Sequence, residues 1–124
     1  MKLVLRVLVG IAGLLGVLVA ARMWMAPAEV AAQLGVAASS PLGLASIRAD
    51  MGGFFGAGGL FALAAAIKGR GGMLLPSVVL VGLALTGRLV AVAINGFVPE
   101  MGAPMAIEAA LLVLFVAGWK WLPR

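Results

Sequence analysis

The sequence predicts an all-α integral membrane protein, a single domain (1–124) built as a bundle of four transmembrane helices. Three observations carry this expectation. Hydrophobic residues make up 65% of the chain and its mean hydropathy is +1.23, whereas soluble domains are near half apolar. A small water-soluble domain keeps much of its surface exposed and cannot hide that much apolar area. The apolar residues fall in four runs, at about 3–23, 42–67, 73–95 and 104–121, each near the ~20 residues that cross a hydrocarbon layer of ~30 Å. Basic residues and Trp stand at the ends of these runs, as they do at membrane interfaces.

Within the first span the apolar run from Leu3 to Ala21 is broken only by Arg6 and is followed by Arg22 and Trp24. A cleaved signal peptide is the rival reading, since Lys2 opens a short basic stretch. The run is longer than a signal's apolar core, however, and Arg22, Met23 and Trp24 make a poor cleavage region. A retained helix is expected. Residues 27–35 read either as a short interfacial helix, with Pro27 suited to its first position and Gly35 to its stop, or as a plain connecting turn. Val30 and Leu34 share one face, Glu29 and Gln33 another. Ser39 and Ser40 offer caps for the second run, with Pro41 as its first helical residue. A basic, glycine-rich turn at 68–72 leads to the third run, and a loop around Asn95 and Gly96 leads to the fourth. Trp119, Lys120 and Trp121 anchor its end.

If all four runs span, Lys2, Arg6, Lys68, Arg70, Lys120 and Arg124 share one side, and Arg22, Glu29 and Glu100 the other. Six basic residues against one is a positive-inside bias, so both termini are expected in the cytoplasm. This placement of the basic residues also argues against nucleic acid as a partner, despite a net charge of +5.

The chain has no Cys and no His, which excludes thiolate chemistry and His-based metal sites. The informative residues are the charges inside the runs: Arg48, Asp50, Arg88 and Glu108. A lone charge at mid-membrane costs about 2.5–3.5 kcal/mol on the insertion scale. At about 1.5 Å per helical residue, all four fall in one slab near the non-cytoplasmic side, and their charges sum to zero. That is the balance a buried network requires. Arg48 and Asp50 are roughly 200° apart on an ideal helix and must find partners elsewhere. Arg48 with Glu108, or Arg88 with Glu108, are the candidate pairs. Such a cluster either locks helix register or lines a polar pocket for a small ligand, a lipid or a proton. Ser46 and Thr86 flank the slab, with no base to complete a triad. Asp50 and Glu108 face competition from two Arg residues for any cation, so no metal is expected.

Gly52, Gly56 and Gly59 form a small-residue face that suits close helix packing within the bundle, with homo-oligomer formation as the alternative. Leu63 ends this stripe, which confines the expected close contact to the outer half of the helix.

The stretch IRADMGGFFGAGGLFALAA, residues 47–65, resembles the second helix of small bacterial membrane proteins of the domain of unknown function 4345 family. Gly87-Arg88, Asn95-Gly96-Phe97 and Glu108 resemble that family's later Gly-Arg pair, polar-Gly turn and membrane carboxylate. This chain carries Asn95 where the family often has an acid. The resemblance implies four helices in a bacterial inner (cytoplasmic) membrane and an Arg/Asp/Arg/Glu signature. It implies no activity.

The expectation is a non-enzymatic membrane protein, without cofactor, whose Arg48/Asp50/Arg88/Glu108 cluster binds a small ligand or lipid or locks the bundle. Its partners would be membrane lipids, further copies of itself or a larger membrane complex. The alternatives are an accessory subunit of such a complex, or an acid/base enzyme using Asp50 or Glu108 with Arg48 and Arg88 on an anionic substrate.

Overall fold

The computed structural model describes residues 2–124, and among them the chain is helical with no strand. The helices are α1 (Lys2–Met25), α2 (Pro27–Gln33), α3 (Pro41–Ser46), α4 (Gly52–Lys68), α5 (Leu75–Asn95) and α6 (Gly102–Trp121). A π-turn, Ile47–Met51, joins α3 to α4, and 3-10 turns Gly71–Leu74 and Pro99–Met101 open α5 and α6. Four continuous helical spans result: Lys2–Met25, Pro41–Lys68, Gly71–Asn95 and Pro99–Trp121, each long and apolar enough to cross a membrane. The chain is therefore a multi-pass membrane protein. Its outward face agrees: Leu3, Leu42, Ile94 and Val113 are each more than 70% exposed, which suits lipid and not water.

Local chemistry sets the ends of the spans. The Gly43 N–H donates to Ser40 Oγ at 3.1 Å, capping the second span ahead of Pro41. That span ends at Gly69, whose φ of +65° is a left-handed conformation that glycine adopts without a Cβ penalty. Arg6 completes this end. Its Nε donates to the Ala66 carbonyl at 2.9 Å and its Nη2 to the Ile67 carbonyl at 3.0 Å. A cation on the last carbonyls of a helix satisfies acceptors that have no intrahelical partner and complements the dipole. Arg6, which the sequence offers as a topology signal, thus ties the start of α1 to the end of α4. The first helix also runs on through Met25, so that Arg22 lies within it.

The dominant contact pairs α1 with α4, antiparallel. Along its length it reads Arg6 and Gly10 on Ala66, Gly13 and Gly16 on Gly59, Ala20 on Gly56 and Trp24 on Gly52. A Cβ at Gly59 would lie 2.6 Å from the Val17 nitrogen and 2.7 Å from the Gly13 oxygen. A Cβ at Gly13 would lie 2.5 Å from the Leu63 nitrogen. Backbone meets backbone here, the arrangement that small residues permit in lipid. The expected restriction to the outer half of the helix is corrected: the contact continues past Leu63 to Ala66. Leu63 does not end it, because Gly13 lies over the Leu63 backbone and the stripe continues through the buried Ala62, Ala65 and Ala66.

The α5–α6 pair closes on α1–α4 most tightly at the end where α1 begins. A Cβ at Gly118 would lie 3.2 Å from the Val9 side chain of α1, while within the α5–α6 pair a Cβ at Gly71 would lie 2.5 Å from the Gly118 oxygen and the Gly71 N–H donates to the Pro123 carbonyl at 2.8 Å. Val9, Ala65, Leu74, Phe115 and Leu122 form the core there. Ser77, fully buried, donates from Oγ to the Gly58 carbonyl at 2.8 Å and pins α5 to α4. At the opposite end a smaller cluster of Met23, Val30, Ala31 and Ile47 seats α2 against the ends of α1 and α3. Charge divides between the two ends. Lys2, Arg6, Lys68, Arg70, Lys120 and Arg124 lie at the first, the basic end. Glu29, Asp50, Glu100 and Glu108 lie at the second with Arg22, Arg48 and Arg88, the mixed-charge end.

Candidate ligand cavity at the mixed-charge end

Between the two helix pairs, toward the mixed-charge end, a cavity of about 700 Å³ opens. Its deep walls are apolar: Ala12 and Val19 from α1, Phe55 from α4, Val81 from α5, and Leu111 and Phe115 from α6. Phe54 and Phe55, in a T-shaped contact at 5.3 Å, stiffen the α4 wall. Its rim is polar and carries Arg22, Gln33, Asp50, Arg88 and Glu108. The volume falls within the range of ligand sites, and an apolar interior with a few convergent polar groups is their usual composition.

Three of the four expected charges line this cavity, and Arg48 does not. The closed four-charge cluster is corrected accordingly. Among the described residues Arg88–Glu108 is the one ion pair, through Arg88 Nε and Glu108 Oε1. Both side chains keep some exposure, 33% and 15%, and Arg48 and Asp50 are exposed. None of the four charges is buried.

Two physical features explain the difference. The π-turn changes the helical phase where the two charges stand: the Gly52 N–H reaches the Ile47 carbonyl, five residues back. Arg48 then meets a better placed acceptor than a carboxylate. Its Nε donates to the Trp24 carbonyl at 2.9 Å, and the Trp24 indole N–H donates back to the Arg48 carbonyl at 3.0 Å. This reciprocal pair staples the end of α1 to the π-turn and places cationic charge on helix-terminal carbonyls. Gly52 accommodates it, since a Cβ there would lie 2.7 Å from the indole nitrogen. Asp50 is thereby released to the cavity rim.

Thr86 is satisfied within its own helix, its Oγ1 donating to the Gly82 carbonyl at 2.7 Å. Sequence reasoning passed over Arg22, Gln33 and the Phe54–Phe55 wall as site residues. Arg22 is legible as the charge that directly follows an apolar run. Its position on the cavity side depends on α1 remaining helical through Met25.

The rim offers a defined set of groups. Arg22 and Asp50 make no side-chain hydrogen bond or ion pair among the described residues, and Arg88 engages its partner only through Nε. Free guanidinium donors and one free carboxylate thus face an apolar trough. The rim carries two cations and two anions, so its net charge is zero. Comparison with known protein families, with curated proteins and with solved structures finds no match for this chain.

The geometry predicts that Arg88→Leu and Glu108→Leu are coupled in a double-mutant cycle read as stability in detergent. A coupling of about 1–2 kcal/mol is expected, between that of an exposed pair and a buried one. Arg48→Leu and Glu108→Leu should be additive. The reverse result, coupling to Arg48 and none to Arg88, would contradict the assignment.

Proposed function

We propose that this protein binds an amphiphilic molecule, its apolar part in the trough between the helix pairs and its polar head at the Arg22/Asp50/Arg88/Glu108 rim. The observation that carries this is the graded lining of the cavity: apolar at depth, charged at the mouth, with a net rim charge of zero. A head group without net charge, zwitterionic or neutral, matches that rim. Its acceptors would meet Arg22 and the free donors of Arg88, and its donors would meet Asp50. No Ser or Thr nucleophile lines the walls, Glu108 is held by Arg88, and Asp50 is an exposed carboxylate with no partner that would orient it as a base. Binding, not catalysis, is therefore the reading advanced. The accessory-subunit alternative would be favoured by a free glycine face, but α1 covers Gly59 and Gly52.

The setting proposed is the inner membrane of a bacterium, in keeping with the resemblance of residues 47–65 to the domain of unknown function 4345 family. The basic end is proposed to face the cytoplasm and the cavity mouth the outer side, on the segregation of charge between the two ends.

Two measurements test these statements. Native mass spectrometry after mild-detergent purification should show a retained amphiphile of no net charge, and its occupancy should fall about tenfold in an Arg22→Gln/Asp50→Asn variant. Ligand-free spectra, or retention that ignores the rim variant, would refute the binding reading. The chain has no native Cys, so Arg70→Cys should react with an impermeant maleimide only once the cytoplasmic face is opened. Labelling in intact cells would invert the orientation.

A further inference from the structure

A second groove lies at the basic end, remote from the cavity, where the first turns of α1 meet the last turns of α6. It encloses about 550 Å³ and is lined by Lys2, Val4, Leu5, Leu8, Lys120 and Trp121. We propose that it is a binding site for an anionic phospholipid, whose phosphate sits between the Lys2 and Lys120 ammonium groups.

Charge complementarity carries the proposal. The basic end holds six Lys and Arg residues and none of the four Asp and Glu residues, and neither Lys2 nor Lys120 forms an ion pair among the described residues. The neighbouring cations are otherwise placed. Arg6 donates to the Ala66 and Ile67 carbonyls. Arg124 stacks over the Trp119 ring at 5.3 Å. Lys68 ends α4, and Arg70 lies in the turn that leads to α5. Lys2 and Lys120 are thus the two cations turned to this groove. Basic pockets between transmembrane helices are a recognised setting for anionic lipid head groups.

The rest of the lining names a lipid in preference to a soluble anion. Val4, Leu5 and Leu8 continue from Lys2 along α1, and Leu8 lies about 9 Å further along the helix axis. An acyl chain would follow that wall toward the middle of the membrane. Trp121, 62% exposed, stands beside Lys120 at the level where indoles meet head groups. A polyanion such as RNA would find the two ammonium groups and leave the apolar wall uncovered. The site also differs from the cavity in the head group it selects. The cavity rim has no net charge, whereas the groove carries two cations and no anion.

The test is native mass spectrometry of the full chain titrated with phosphatidylglycerol or with phosphatidylethanolamine of matched chains. Wild type should bind phosphatidylglycerol more tightly. Lys2→Gln/Lys120→Gln should weaken that binding about tenfold or more and leave phosphatidylethanolamine binding unchanged. A Lys68→Gln/Arg70→Gln variant removes equal charge from the same end outside the groove and should stay within about twofold of wild type. Undiminished phosphatidylglycerol binding by the first variant would overturn the proposal. An equal loss in the second would also overturn it, by assigning the preference to the general field of the basic end. Loss of the groove lipid should leave the cavity amphiphile in place, so the two sites succeed or fail separately.

Discussion

Everything in this bundle is arranged around the approach of α1 to α4, which at Gly13, Gly16 and Gly59 is a contact of backbone with backbone. In lipid no water is expelled when two helices meet, so their association depends on close packing and on polar contacts between them. Glycine provides the first, and the polar contacts stand at the two extremities of the same interface. Arg6 holds the Ala66 and Ile67 carbonyls at the end of α4, and Arg48 holds the Trp24 carbonyl at the end of α1 while the Trp24 indole donates back. The two helices are thereby fixed in register and act as one wall. At the basic end Gly71 and Gly118 bring the start of α5 against α6, and α6 meets that wall where Gly118 faces Val9 of α1. Toward the other end the contacts pass to long side chains, and the space between the pairs is the cavity.

The basic residues of the spans divide between two kinds of partner. Arg6 and Arg48 pair with helix-terminal carbonyls, and Arg88 pairs with a carboxylate. A helix C-terminus carries roughly half a negative charge and several unsatisfied acceptors, so it can answer a guanidinium without a second charge being taken out of water. This leaves Arg22 and Asp50 free at the cavity mouth, where an unpaired charge has access to a head group or to solvent. The ends of the bundle then differ in kind. One presents cations alone, and the other presents a balanced rim over an apolar trough.

Much of the architecture was legible in the sequence, because lipid imposes a length and a composition on anything that crosses it. The four runs and the cap at Ser40 before Pro41 follow from local chemistry, and the helix at Pro27–Gln33 is one of the two forms it allows. The charged site was legible only as a list of residues. Shared depth suggested that Arg48, Asp50, Arg88 and Glu108 would meet, and ideal helical phase directed the choice of partners. The π-turn broke that phase, and no pattern in IRADM announces it. Carbonyls at a helix end are invisible to a pairing of charges with charges, so the sequence leaves Arg48 and Arg88 as equal candidates for Glu108 and offers Arg6 only as a topology signal. The glycine contact was half visible: Gly52, Gly56 and Gly59 stood out on one helix. Gly10, Gly13 and Gly16 at a spacing of three were the matching half on α1, and Ser77 gave no sign of its place between spans.

The fold stands on the α1–α4 contact, and the stability of three alanine variants in detergent tests that contact most directly. A Cβ at Gly59 strikes backbone on three atoms within 2.9 Å, one at Gly56 meets only the Ala20 Cβ at 3.5 Å, and one at Gly53 meets nothing within 4 Å. Gly59→Ala should destabilise by about 1–3 kcal/mol, the range of an overpacked interior. Gly56→Ala and Gly53→Ala should be neutral or stabilising, since alanine is the better helix former. If Gly59→Ala were as stable as the other two, the backbone contact would not be the constraint that organises this fold.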